Sequence, residues 1–111
     1  MATQGVVSVV VDGETRVKAV AGSDGYNAPL LAAEIRREHL TSPEDVLNAA
    51  KRVHFGNERD LVVQGPDRNL YEGGNDLSGL YMDREKFRNP EFNPRWENGT
   101  ADHVEVVKFK G

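Results

Sequence analysis

The sequence predicts an α+β domain in which one mixed β-sheet carries helices on one face. Three observations predict it: a hairpin signal opens the chain, two helical segments follow, and strand-like segments return before the end. With 111 residues, 38% of them apolar, the chain has the length of one domain and enough apolar residues for one modest core. We therefore expect residues 1–111 to form a single domain.

The opening hairpin is a strong local signal. Residues 6–11, VVSVVV, are almost all β-branched, and the segment ETRVKAV resumes the strand pattern after Asp12-Gly13. An Asp-Gly pair between two such runs favours a type I′ turn, which needs a positive φ at both central residues. The first two strands are therefore expected to be antiparallel neighbours.

Two helices are predicted after the hairpin. Leu31, Ile35 and Leu40 fall along one side of the segment APLLAAEIRREHL, which is rich in helix formers. Residues 42–45, SPED, predict the start of a second helix, because serine caps helices, proline suits the first position and acids favour the first turn. We expect this second helix to end near Gly56.

Strand patterns return in the second half of the chain. The segment RDLVVQG predicts a short buried strand that ends at Gly65-Pro66, and residues 104–110 predict the last strand. Between them lie prolines, glycines and scattered aromatic residues, so we expect ordered loops with short turns there.

The last strand has an irregular apolar pattern. Val104 and Val106 share one face of a strand, whereas Val107 and Phe109 share the other. This pattern predicts either a sheet that is covered on both faces or a bulge that shifts the register.

Composition and motif content narrow the function classes. The formal net charge of −4 gives no basic surface for nucleic acid, and no window is long and apolar enough for a membrane span. The chain has no cysteine, and its start lacks a basic run followed by apolar residues, so we expect a cytoplasmic protein. The spacing of His39, His54 and His103 matches no metal motif, and no serine lies in a nucleophile motif. We therefore expect neither an enzyme nor a bound cofactor.

Three stretches, in order, resemble ubiquitin and its relatives. VVSVVVDGETRVKAV is similar to the first two strands of that family, and RDLVVQGPDRNLYEGGNDLSGLYM is similar to its third strand, turn, short fourth strand and following loop. The closing HVEVVKFKG resembles the last strand of the family, which alternates apolar and basic residues before a terminal glycine. Together these stretches cover about half of the chain.

The resemblance implies a β-grasp fold, in which the first and last strands are central neighbours of the sheet. The family fold has one main helix. The second helix and a long irregular insertion before the last strand would be additions to it.

The resemblance also implies a protein modifier, similar to the ubiquitin-like proteins that include bacterial members. The carboxylate of Gly111 would be activated and conjugated to amines of target proteins, and a short tail at residues 108–111 would present it. Activating, transferring and deconjugating enzymes would recognise Lys108, Phe109 and Lys110 in that tail. Lys110 stands where the family usually has a second glycine, so this tail is bulkier than the family pattern.

The alternative is a small non-conjugated interaction or assembly protein, of the kind that viruses encode. Its contact would lie in the loop at residues 83–99, which mixes aromatic residues with arginines, a composition typical of binding hot spots. The contact residues would be Phe87, Arg88, Phe92, Arg95 and Trp96. The competing interpretation of this loop is that its aromatic rings fold back and cover the sheet.

Overall fold

A five-stranded mixed sheet forms the framework of the computed structural model. The structure describes residues 3–56, 60–66, 69–71, 84–93 and 99–111, with the backbone alone for residues 69–71 and 84. The strands are β1 (Gly5–Val11), β2 (Glu14–Ala21), β3 (Leu61–Gln64), β4 (Asn69–Tyr71) and β5 (His103–Phe109). The helices are α1 (Ala28–Glu38), α2 (Pro43–Arg52) and α3 (Arg84–Arg88), with a 3-10 turn at Gly25–Asn27 before α1. The α+β class predicted from the sequence is confirmed.

The strand order is β4-β3-β2-β1-β5, in which β1 and β5 run parallel and every other neighbouring pair is antiparallel. The pairing of the first and last strands is as expected. Their central position is not, because β5 lies at an edge of the sheet and β2 pairs with both β1 and β3. Burial explains the difference: residues 17–21 of β2 are all buried, as in a central strand, whereas most of β5 is only half-buried.

The hairpin turn has the conformation that the Asp-Gly pair predicts. Asp12 and Gly13 have φ angles of 52° and 82°, both positive as a type I′ turn requires. The β1–β2 register shifts once, between Val9 and Val10, which leaves Arg16 as the extra residue of a bulge in β2.

Both predicted helices are confirmed, with small differences at their ends. Ser42 caps α2 by accepting a hydrogen bond from the Asp45 N–H at 3.3 Å, and α2 ends at Arg52 rather than near Gly56. The end of α1 is marked by His39, which adopts the left-handed conformation with a φ of 55°.

One face of the sheet, which we call the helix face, packs against α1 and α2. Alternation along each strand sends every second side chain to this face. The buried apolar residues there include Val7, Val9, Val17, Ala19, Leu31, Ile35, Val46, Ala49, Leu61, Val63 and Val107. These residues form the hydrophobic core.

The opposite face, which we call the second face, is covered by residues 84–93, which we call the cover segment and which contain α3. Ser8 and Thr15 are buried on this face and donate to carbonyl groups of the cover segment. Ser8 Oγ donates to the Pro90 carbonyl at 2.6 Å, and Thr15 Oγ1 donates to the Arg88 carbonyl at 3.0 Å. Polar side chains of the two central strands therefore attach the cover segment to the sheet.

Lys18 provides a third attachment. Its ammonium group donates to the carbonyl oxygens of Lys86, Asn89 and Phe92 at 2.6, 2.7 and 3.0 Å, and the side chain is fully buried. Burial lowers the pKa of Lys18 to about 8, so the group still carries its proton at neutral pH. Three donors meet three acceptors, which satisfies a charge that burial would otherwise disfavour.

β5 is partly covered on both faces, which agrees with the first of the two alternatives left open by its apolar pattern. Val107 lies in the core on the helix face, while Val104 and Val106 are half-buried on the second face. The register between β1 and β5 runs from one end of the strands to the other without a shift, so the pattern does not come from a bulge in this pair.

Replacing Lys18 by methionine is expected to destabilise the fold. The substitution keeps an apolar stem of similar length but leaves three carbonyl oxygens without their donor, and each buried polar group left unpaired costs about 1–3 kcal/mol. We expect the free energy of unfolding, measured with urea, to fall by about 3 kcal/mol because the carbonyl groups can be only partly rehydrated. Lys110→Met, at an exposed lysine, is the control and should change it by less than about 0.5 kcal/mol. Equal stability of the two variants would show that Lys18 does not hold the cover segment.

Candidate functional site

The outer edge of β5 presents backbone groups that face away from the sheet. The His103 N–H donates to the Gln4 carbonyl, and the Asp12 N–H donates to the Phe109 carbonyl, both at 3.1 Å. In a parallel ladder, every second residue of a strand points both its N–H and its C=O toward the neighbouring strand. Residues 103, 105, 107 and 109 therefore face β1, and residues 104, 106 and 108 face outward.

Arg36 of α1 reaches this outer edge. Its Nη2 donates to the Val106 carbonyl over 3.4 Å, a long hydrogen bond made by an exposed side chain. The Val106 N–H and the backbone groups of Val104 and Lys108 have no hydrogen-bond partner among the residues that the structure describes. Within the described part of the chain, three N–H donors and two C=O acceptors of this edge are thus without a partner.

Basic side chains flank the edge on both sides of the sheet. Arg36 approaches from the helix face, whereas Lys108 is exposed and projects from the second face. Lys110 follows just beyond the strand and is also exposed. Glu105, the one acidic residue of β5, is half-buried on the helix face. This edge therefore carries more basic than acidic side chains.

The tail beyond the last strand is two residues long, where four were expected. Lys108 and Phe109, which the sequence placed in the tail, belong to β5 and pair with β1. Lys110 and Gly111 follow and are exposed. The Gly111 N–H donates to Asp12 Oδ1 at 2.9 Å, so the end of the chain lies beside the β1–β2 turn.

An open cleft of about 700 Å³ lies next to this end of β5. The residues that line it are Val10, Asp12, Gly13, Pro90, Lys108, Phe109, Lys110 and Gly111. On the helix face, the Phe109 ring packs against His39, with ring centroids 4.0 Å apart. The cleft therefore lies between the end of β5, the β1–β2 turn and Pro90 of the cover segment.

The aromatic residues of the cover segment lie against the sheet. Phe87 is only 5% exposed, and its ring centroid lies 5.9 Å from the Lys18 ammonium. Phe92 is half-buried, with the Lys86 ammonium 5.5 Å from its ring centroid. The structure thus gives these two rings the position expected of a cover, and little of Phe87 is available to a partner.

The arginine and tryptophan positions of the predicted contact loop are described only in part. Arg88 is exposed at the end of α3. Arg95 and Trp96 lie outside the described residues. Of the three predicted contact residues that the structure describes, only Arg88 is exposed.

Charged side chains on α1 and α2 form an exposed network. Arg37 pairs with Glu34 at 2.6 Å and with Glu38 at 3.4 Å, and Arg52 bridges the same two acids from α2. The hydrogen bond from Arg37 lowers the pKa of Glu34 and raises that of Arg37. Exposed pairs of this kind contribute little to stability. Within the described residues, no group of three histidine or acidic side chains is arranged to hold a metal ion.

Two features of the structure were not predicted from the sequence, the buried position of Lys18 and the free edge of β5. The Asp-Gly turn alone would pair Ser8 with Val17, and the bulge at Arg16 shifts the register so that Lys18 lies opposite Ser8. No local signal marked the free edge. It depends on which strand pairs with β3, and that is decided by packing across the whole sheet.

None of the described helices has both the length and the apolar character needed to cross a membrane. Comparisons with protein-family models, with curated proteins and with solved structures found no match.

Proposed function

We propose that this chain is a non-catalytic domain that binds another protein by accepting an extended segment of it as an additional strand beside β5. The observation that carries the proposal is the row of outward-facing N–H and C=O groups at residues 104, 106 and 108. Extended peptides commonly bind to sheet edges in this way, because main-chain hydrogen bonds supply affinity and side-chain contacts supply specificity.

Strand β5 lacks several features that usually protect an edge strand from pairing. It is seven residues long, it contains no proline, and its register with β1 has no bulge. The charged side chains of Arg36 and Lys108 are its protection. Both are long and exposed, so they can move aside and then contact an incoming strand.

The alternative function predicted from the sequence was also that of an interaction protein, with its contact in the loop at residues 83–99. Here the main binding surface is instead the outer edge of β5. The carbonyl groups of Lys86, Asn89 and Phe92 are bonded to Lys18, which commits the cover segment to the second face. Contacts from the exposed Arg88 would be secondary to those of the edge.

Conjugation through Gly111, as the resemblance to ubiquitin implies, is the second candidate. Lys110 and Gly111 are exposed beside an open cleft, which favours access by an activating enzyme. The bond between the Gly111 N–H and Asp12 is one hydrogen bond between exposed groups and is readily exchanged for water. The domain would then be a cytoplasmic β-grasp modifier, in which the hairpin and the parallel β1–β5 pair match the family and the edge position of β5 departs from it.

Replacing Val106 by proline is expected to abolish partner binding. Proline removes an N–H that faces outward, so the ladder between β1 and β5 keeps all its hydrogen bonds while the edge loses a donor and gains a steric block. The measurement is photo-crosslinking in the native cell from a benzoylphenylalanine at position 110, with the crosslinked protein identified by mass spectrometry.

Val106→Thr is the matched control, because it keeps the N–H and a β-branched side chain of similar size. We expect the crosslinked partner to persist with threonine and to disappear with proline, while the circular dichroism spectra of both variants match that of the original chain. A crosslink that survives Val106→Pro in a folded variant would contradict strand addition at β5.

Conjugation predicts a mass signature on target proteins. Trypsin cleaves after Lys110, so a conjugated Gly111 would leave a single-glycine remnant on the modified lysine. If the second candidate is correct, mass spectrometry of cellular proteins will detect such remnants, and deleting Gly111 will remove them. Remnants that are unchanged in cells with the deletion would exclude this chain as their source.

A further inference from the structure

We infer that the segment accepted by β5 is acidic and carries two carboxylates at neighbouring positions. This inference rests on the proposed function and adds the chemical class of the partner. It is carried by the position of Arg36 and Lys108 on opposite sides of the same strand edge.

The basic character of this edge does not follow from the composition of the chain. The chain as a whole carries a net charge of −4, yet Arg36, Lys108 and Lys110 all lie along or just beyond the outer edge of β5. Two nearby acids keep their charge but lie on the β1 side of the strand and not at its outer edge: Asp12 accepts the Gly111 N–H, and Asp102 accepts the Gln4 N–H at 2.9 Å. Glu105 is the remaining acid in the strand.

The geometry of a strand explains why neighbouring carboxylates fit. Successive side chains of an added strand point to opposite faces of the sheet. A residue directed to the helix face would approach Arg36, and the next residue, directed to the second face, would approach Lys108. An acid at each of these positions would therefore meet a cation without any change in the backbone of β5.

The hydrogen bond that Arg36 now makes can be exchanged for a stronger one. At 3.4 Å its contact with the Val106 carbonyl is at the long limit for a hydrogen bond. A carboxylate offers the guanidinium group two oxygens in a bidentate pairing, which is shorter and stronger. An incoming N–H can then occupy the Val106 carbonyl that Arg36 leaves.

A second copy of this chain is a poorer occupant of the same edge. Antiparallel pairing of two β5 strands about Val106 would bring both Arg36 side chains to the centre of the interface and place the Lys108 side chains along it. Like charges at such close positions destabilise a pairing. The edge therefore favours an acidic strand over its own copy.

The experiment uses the full chain and synthetic peptides. The probe is Val-Thr-Val-Thr-Glu-Asp-Thr-Val-Thr-Val, and its twin has Gln-Asn in place of Glu-Asp, which keeps the shape and removes the charge. A third peptide is the acidic probe with an N-methyl group on every residue, which removes the N–H donors of both edges and so blocks main-chain pairing. Binding is measured by fluorescence anisotropy at low ionic strength and again in high salt.

We expect the acidic probe to bind about tenfold more tightly than its twin, which corresponds to two exposed ion pairs. Arg36→Gln and Lys108→Gln should each weaken the acidic probe about threefold and leave the twin unchanged. Lys51→Gln, which removes the same charge from the exposed surface of α2, is the matched control and should change neither affinity. High salt should reduce the difference between the peptides, and the N-methylated peptide should not bind.

Each contrary outcome separates the two proposals. Equal binding of the probe and its twin, both lost on N-methylation, would overturn the acidic preference and leave strand addition at β5 standing. Acidic binding that survives N-methylation would overturn strand addition. Self-association by sedimentation that Val106→Pro removes would show a second copy as the occupant, and failure of every peptide to bind up to millimolar concentration would overturn both proposals.

Discussion

Strand β1 places buried side chains on both faces of the sheet, and the rest of the architecture depends on this constraint. Val7 and Val9 point to the helix face, while Val6 and Val10 point to the second face, and all four are buried. A strand of this kind has to be covered on both sides. The two longer helices cover one side and the cover segment covers the other, so the sheet becomes the middle layer of three.

The two covers are attached by different physical means. The helices bury apolar side chains, whereas the cover segment is held through its carbonyl groups by Ser8, Thr15 and Lys18. Both covers lie over the faces of the sheet, and neither supplies a strand to pair with β5. Among the described residues, the outer backbone groups of that strand are bonded only by Arg36. The proposed binding surface is thus a consequence of how the faces are covered.

Local chemistry made much of the fold predictable from the sequence. The Asp12-Gly13 turn and the cap at Ser42 follow from rules that act within a few residues, and the structure confirms both. The prediction that β5 is a central strand was wrong, since β5 lies at an edge of the sheet. Strand order is decided by contacts between distant segments. The same limit hid Lys18, whose three acceptors lie about seventy residues away in the sequence.

The most direct measurement is amide hydrogen exchange by NMR along β5 in the free protein. If the edge is open, the outward amides of Val104, Val106 and Lys108 will exchange rapidly, while those of Glu105 and Val107, which bond to β1, will be protected. This alternation would support β5 as a free edge ready to accept a strand. Uniform protection of all five amides would show that another part of the chain, or another copy, already occupies the edge, and would contradict the account.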